Sequence, residues 1–463
     1  MEANVQEFYS WILSNEYPKS KVNVSPTEIN IVNEFGYASI TFNNLDIIEF
    51  IVTNAKTKEN EFYLHFQYKT FSHAKKLYKE LMDAYNHLSK KVVFKVLLCC
   101  TGGLTTSYFA GRVREALKLL KLDYDIQATS YLNLYNEIEK YDLVMLVPQI
   151  AYESKRITNL FKDKRVLEIP TKVFATYDVA AMIRIMEKES VLKQNEKISQ
   201  QNKPIEIKNE MPEHNKIFVL SIIRNSGRIH ALYRVYDKNN KIVLDSEIIK
   251  YQLDVSDIFD IIDTVLLIEP KVESIGISIP GIIVDGYVDY ADVHGLSSTN
   301  LLTSARNKYK DRKVIVCNDV NTAAVGYYAT QDKYKNICVY FQPINNYGGV
   351  GNIIDGRLHR GNKSLAGEVQ YMSLNISNHP LVLNKTPEGM VELVSNIITN
   401  LSVTLAPELI VVFDSLLSKE SLSSLVVNVE KNIPQKYIPE IRIEERLDSY
   451  TLPGQLILCA QDQ

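Results

Sequence analysis

The chain is poor in cysteine, close to charge balance and without long apolar runs, and each shortage removes a class of protein. Its five cysteines, at 99, 100, 317, 338 and 459, form no CxxC pair and no Cys/His cluster with zinc spacing, so structural disulfides and a metal site are both unexpected. A net charge of -3 leaves no general attraction to nucleic acid, and no nucleic-acid partner is expected. No stretch approaches the roughly 20 apolar residues that cross a bilayer. The opening MEANVQEFYS lacks the basic-then-apolar order of a signal peptide, so the expected location is the cytoplasm.

With 463 residues, 46% hydrophobic and 23% charged, the chain can bury cores for about three domains. Residues 1–91 open with a helical pattern (Phe8, Trp11, Ile12), continue through the β-rich runs YASITFNN, DIIEFIVTN and EFYLHFQYK, and close on the helical HAKKLYKELMDAYNHLSKK. This predicts a small α+β domain to which no chemistry attaches. Its aromatics Phe50, Phe62, Tyr63, Phe66 and Tyr68 read as core and cross-strand pairs rather than a stacking surface. Residues 93–186 alternate strand and helix, which implies a right-handed parallel sheet with its loops at the strand C-terminal ends. Residues 187–214 are polar and predict a linker, and residues 216–463 form another globular unit of mixed strands and helices.

The chemistry concentrates at one loop. Cys100 ends the apolar strand VVFKVLLCC, then come Thr101, Gly102, Gly103 and Leu104, and Thr105, Thr106 and Ser107 lead into an amphipathic helix. Glycines let successive N–H groups curl inward and a helix N-terminus adds partial positive charge, so residues 101–107 suit a phosphate without any lysine. The same field favours a thiolate, which is the nucleophile toward a phosphoryl donor. Cys99 should point the opposite way, into the core. The plain alternative is a glycine-containing turn with an incidental cysteine. A nucleotide P-loop is excluded because no Lys-Ser/Thr follows the glycines. A cysteine phosphatase would carry its hydrolytic arginine at position 106, where this chain has Thr106.

CTGGLTTS resembles the Cys-x-x-Gly-Met-Ser-Thr-Ser signature of lactose/cellobiose-type IIB components of the sugar phosphotransferase system. YDLVMLVPQIAY resembles that family's strand ending in Gly-Pro-Gln-(Val/Ile)-x-Tyr, with Val147 for the glycine. The resemblance covers residues 93–186 and implies phosphoryl transfer from a phosphohistidine on a IIA phosphocarrier to Cys100. In the family the phosphate then passes to a sugar held by a membrane IIC component, and no IIC segment lies in this sequence.

Residues 216–463 resemble the ROK family of sugar kinases and repressors through ESIGISIPGIIVDGYVDYA, VIVCNDVNTAAVGYY and IIDGRLHRGNKSLAGEVQYM. The resemblance implies a two-lobed hexokinase/actin-type fold with a sugar ligand in its cleft. Asp319 matches the base that takes the sugar proton, Asn318 a sugar hydrogen-bond donor, and Glu368 a further sugar ligand. The alternative, that Asn318 and Asp319 cap the helix starting near Asn321, stays open.

The nucleotide elements depart from the family together. Ile223-Arg224-Asn225-Ser226-Gly227 replaces Asp-x-Gly-Gly-Thr, Asn345-Asn346-Tyr347-Gly348-Gly349-Val350-Gly351 replaces the glycine-rich loop, and Phe413-Asp414-Ser415 replaces the late Gly-Gly. ATP binding is therefore expected to be poor or absent, leaving Asp319 a vestigial base and no cofactor. The sugar-loop Asn aligns with Val293 and the zinc His with Tyr371, and no helix-turn-helix precedes the unit.

The expected function is a cytoplasmic phosphotransferase accepting phosphate on Cys100, with a ROK-like unit lacking kinase activity. The alternative is a non-catalytic sensor of sugar or of phosphorylation state that regulates carbohydrate uptake or expression. Nothing in the sequence decides for or against an oligomer.

Overall fold

A computed structural model describes residues 3–55, 57–88, 94–102, 104–119, 124–161, 164–186, 212–225, 228–291, 293–343, 346–414, 416–418, 420–444 and 446–461. Most of the expected linker, 187–211, lies outside the described residues.

The N-terminal unit is an antiparallel meander of five strands, Lys21–Ser25, Glu28–Asn33, Gly36–Phe42, Ile47–Asn54 and Asn60–Gln67, with helices Ala3–Leu13 and Phe71–His87. Alternation along its strands sends Ile29, Ile31, Phe50, Phe62 and Phe66 into the core, where the Phe50 and Phe66 rings meet edge-on at 5.2 Å. Thr70 starts the second helix by accepting from the His73 N–H.

This meander does not end at its own border. Strand Asn60–Gln67 pairs antiparallel with Ile242–Lys250, Tyr63 opposite Ile249, and the result is one ten-stranded sheet that continues through Arg228–Tyr236, Lys216–Asn225, Val272–Ile279 and Lys313–Asn318. A single apolar cluster runs beneath it from Val5 to Val316. Ion pairs lace the same seam, Lys69 to Asp260 and Asp263 and buried Lys250 to Glu80 and Asp257, and His73 Nε2 is hydrogen-bonded to Asp260.

Residues 94–186 form a separate four-stranded, all-parallel sheet in the order Tyr124–Ser130, Phe94–Cys100, Leu143–Leu146, Arg165–Glu168. Its helices include Leu104–Leu119, Tyr131–Glu137 and Ser154–Leu160. The α/β class, with a small α+β N-terminal unit followed by a four-stranded parallel sheet, is the one expected.

The second lobe of the C-terminal unit is a five-stranded sheet, Arg357–His359, Gly349–Ile354, Ile337–Phe341, Leu409–Phe413, Glu440–Glu444, backed by helix Pro387–Thr404. Helices Asp319–Tyr328 and Asp448–Gln461 cross between the lobes at backbone contact. A Cβ at Gly326 would stand 2.1 Å from the Tyr450 carbonyl oxygen, and one at Gly454 would stand 1.8 Å from that of Thr322, so only glycine allows the approach. No helix among the described residues is long and apolar enough to cross a membrane.

Candidate functional site

Strand Phe94–Cys100 lies second in its sheet, with Tyr124–Ser130 on one side and Leu143–Leu146 on the other. The chain passes from it to Tyr124–Ser130 on one side, and the next connection crosses back over it to Leu143–Leu146 on the other, so the strand order reverses beside its C-terminal end, the topological switch point where open α/β sheets bind ligands. Cys100 is the last residue of that strand and pairs with Ser130. On the other side the Val147 N–H donates to the Cys99 carbonyl at 3.1 Å, bringing the turn Pro148–Glu153 beside the same end.

Cys100 is 7% exposed, and its Sγ lies 4.0 Å from the Thr129 carbonyl oxygen. Cys99 is fully buried, and burial, then the neighbouring Cys100, pushes its thiol up to about 12. Cys99 is thus an inert core group. The loop in front of Cys100 is open: Thr101 and Gly102 are exposed, and a Cβ at Gly102 would meet nothing within 4 Å.

Helix Leu104–Leu119 begins immediately after this loop, so its N-terminal dipole end stands at the end of the cysteine strand. Arg114 fixes the helix against the sheet by donating from Nε and Nη2 to the Ile126 carbonyl. Thr105 and Ser107 are exposed, whereas Thr106 is fully buried and its hydroxyl has no hydrogen-bond partner among the described residues. Gly103 and the side chain of Leu104 lie outside the described residues.

In the C-terminal unit Asn318 ends strand Lys313–Asn318 and caps helix Asp319–Tyr328: its Oδ1 accepts from the Asn321 N–H at 3.0 Å, and its Nδ2 donates to the Gly281 carbonyl at 2.5 Å. Buried Asp319 accepts from the Val320 N–H at 2.9 Å. Glu368 bridges to Gly349, which faces Val320, so the two expected sugar-binding carboxylates belong to neighbouring segments. Burial raises the Glu368 carboxyl above its ordinary range. The amide of Asn318 is thus engaged by the fold on both its atoms.

The loop at Asn346–Gly351, one of the segments expected to depart from the nucleotide elements, is held by Tyr340, Gln342 and Asn384, which sequence reading did not single out. Tyr340 donates to Gln342 Oε1 at 2.6 Å, Gln342 Nε2 donates to the carbonyls of Pro343 and Asn346, and Asn384 Nδ2 reaches the same Asn346 carbonyl at 2.9 Å. A Cβ at Gly348 would lie 2.6 Å from Gln342 and 2.7 Å from the Tyr340 ring. Asp414 is buried; one oxygen accepts from the Leu416 and Leu417 N–H groups, the other has no partner among the described residues, and burial pushes its carboxyl up to about 7. Tyr340 and Gln342 fall at alternate positions about strand Ile337–Phe341, which is why they read as ordinary strand residues.

The family model described as "PTS system, Lactose/Cellobiose specific IIB subunit" matches residues 95–194, and that of the "ROK family" matches residues 225–384. No curated protein matches the chain. Among solved structures, the ROK hexokinase from Thermus thermophilus is similar at 14% identity over 53% of this chain and 98% of its own, with a TM-score of 0.42. A ROK family glucokinase from Streptomyces griseus, in complex with glucose and AMPPNP, is similar at 16% identity over 53% of this chain and 100% of its own, with a TM-score of 0.38. The cellobiose-specific phosphotransferase IIB component from Borrelia burgdorferi is similar at 22% identity over 22% of this chain and 94% of its own, with a TM-score of 0.19. The chain therefore carries a lactose/cellobiose-type IIB domain over residues 95–194 and a ROK-family domain over residues 225–384.

Proposed function

We propose that the chain is a cytoplasmic phosphoryl-transfer protein of the sugar phosphotransferase system, in which Cys100 accepts a phosphoryl group from a phosphohistidine on a IIA phosphocarrier. The observation that carries this reading is the position of Cys100 at the switch point of a parallel sheet, with the N-terminus of helix Leu104–Leu119 directly after its open loop. The Cys100 thiol gives up its proton, the thiolate sulfur forms an S–P bond as the donor N–P bond breaks, and the electron pair returns to the imidazole nitrogen, which takes up a proton in exchange for the one the thiol released. Main-chain donors and hydroxyls of Thr101, Gly102, Gly103, Leu104, Thr105, Thr106 and Ser107 hold the phosphoryl oxygens. The buried Thr106 hydroxyl, without a partner among the described residues, suits such a role. With threonine rather than arginine at 106, hydrolysis is not promoted. The sugar-bearing IIC component is the next acceptor in this scheme.

Incubation with a phosphorylated IIA partner, followed by mass-spectrometric mapping, tests it. Phosphate is expected on Cys100, and unchanged labelling of Cys100→Ser would count decisively against the reading.

A second reading is favoured by the loop at Asn346–Gly351. Tyr340, Gln342 and Asn384 hold the loop near Asn346 through internal hydrogen bonds, leaving its polar groups engaged within the protein. On this reading the ROK domain lacks kinase activity and acts as a sensor, of a sugar near Asp319 and Glu368 or of the phosphorylation state of Cys100, that regulates carbohydrate uptake or expression. ATP turnover on a common hexose, abolished by Asp319→Asn, would overturn it.

A further inference from the structure

A cavity of about 940 Å³ opens where the N-terminal unit meets the first lobe of the ROK-type unit, within the size range of sites for small organic ligands. One wall comes from helix Phe71–His87, with Lys76, Glu80, Asp83, Asn86 and His87, and the opposite wall from Arg224 and the segment Tyr251, Gln252, Asp254 and Asp257. None of Asn318, Asp319 or Glu368 lines it, whereas Val293, at the position expected for the sugar-loop Asn, does.

The chemistry of the walls narrows the ligand. Lys76, Arg224 and the underlying Lys250 supply three cations against the four carboxylates Glu80, Asp83, Asp254 and Asp257. Lys250 is shared by Glu80 and Asp257, and Lys76 lies 3.8 Å from Asp254. The charges therefore largely answer one another, and no surplus of cations is offered to a phosphate or nucleotide. What the cavity adds is short polar groups that both donate and accept, Asn86 and Gln252 among them, and a flat ring pair. His87 and Tyr251 stack with centroids 5.7 Å apart and planes at 27°, and Tyr251 is 41% exposed. An aromatic platform ringed by amides and carboxylates matches a molecule with an apolar C–H face and a rim of hydroxyls.

We propose that this cavity is a carbohydrate site, taking an uncharged mono- or disaccharide and distinct from the set Asn318, Asp319 and Glu368. The ligand touches both the N-terminal unit and the ROK-type unit, which gives residues 3–88 a part in sugar recognition. The proposal does not depend on the reading of Cys100.

Calorimetric titration of the full chain with glucose, mannose, N-acetylglucosamine, cellobiose and lactose, and with glucose 6-phosphate, tests it. At least one neutral sugar is expected to bind. Tyr251→Ala should weaken that sugar at least tenfold, Gln252→Ala severalfold, and the phosphorylated sugar should bind at least tenfold more weakly. Gln252 is exposed, so its variant decides the matter if Tyr251→Ala does not fold. Absence of binding by every neutral sugar overturns the proposal. So does affinity retained in both variants but lost in Asp319→Asn, which would move the ligand to the cleft.

Discussion

Lys250, with 1% of its side chain exposed, donates to Glu80 Oε2 at 2.8 Å across the seam between the N-terminal unit and the ROK-type lobe. The same ammonium contacts Asp257. Breaking a buried pair by removing one partner leaves an uncompensated charge and costs about 3–5 kcal/mol. Lys250→Ala should therefore destabilise the protein by that order in urea denaturation. Amide exchange in helix Phe71–His87 should accelerate in the same variant.

Asp414 gives stability a specific pH dependence. Its carboxyl is raised to about 7 in the fold, against about 3.9 in an unfolded chain, so the folded state holds a proton that the unfolded state has released. Its stabilising contribution is complete below about pH 4 and is lost as pH rises to about 7. At about 1.4 kcal/mol per pH unit the loss amounts to a few kcal/mol. Asp414→Asn should flatten this slope and melt above the parent protein at pH 8, as thermal scans from pH 4 to 8 would show.

Thr106→Val separates packing from chemistry. A buried hydroxyl left unsatisfied costs about 1–3 kcal/mol, so replacing it with a methyl group should leave the melting temperature unchanged or higher. If the hydroxyl serves the phosphoryl group, labelling from phosphorylated IIA should slow about tenfold. An unchanged labelling rate would remove Thr106 from the phosphate site.

Gly454→Ala should be among the most damaging small substitutions. Its new Cβ would stand 1.8 Å from the Thr322 carbonyl oxygen, forcing helices Asp319–Tyr328 and Asp448–Gln461 apart at a cost of about 3 kcal/mol or more. Denaturant midpoints of Gly454→Ala and Gly326→Ala check this, and both should fall.

The exposed ion pair of Arg156 with Glu388, which joins the IIB domain to the head of helix Pro387–Thr404, should matter little to stability. Both side chains are well solvated, and such pairs contribute less than about 1 kcal/mol. Glu388→Gln should shift the melting temperature by no more than a degree or two.

What could be read from the letters was what is local. An apolar run, glycines, hydroxyl residues and an amphipathic helix follow one another around Cys100, and the structure has strand, loop and helix in that order. The inward face of Thr106, Phe109, Ala110, Val113 and Leu117 follows helical spacing and could have revealed the buried hydroxyl. Asn318 likewise stands at the helix-capping position that its neighbours allowed. The junction at Tyr63 and Ile249 left no such trace, because two strands that pair across 186 residues look like any half-buried strands. Lys250, at the end of an apolar strand, gave no hint of its two carboxylate partners for the same reason. The Tyr340, Gln342 and Asn384 network arises from segments that meet only in the folded second lobe.

The shared ten-stranded sheet also sets leverage. Five strands extend the first lobe beyond Ile242–Lys250, and at about 4.8 Å per strand they lengthen it by roughly 24 Å. Any tilt about the Gly326–Gly454 crossing would be magnified along that arm, so a rotation too small to register beside Asp319 would sweep the far rim at Lys21–Ser25 through several ångströms.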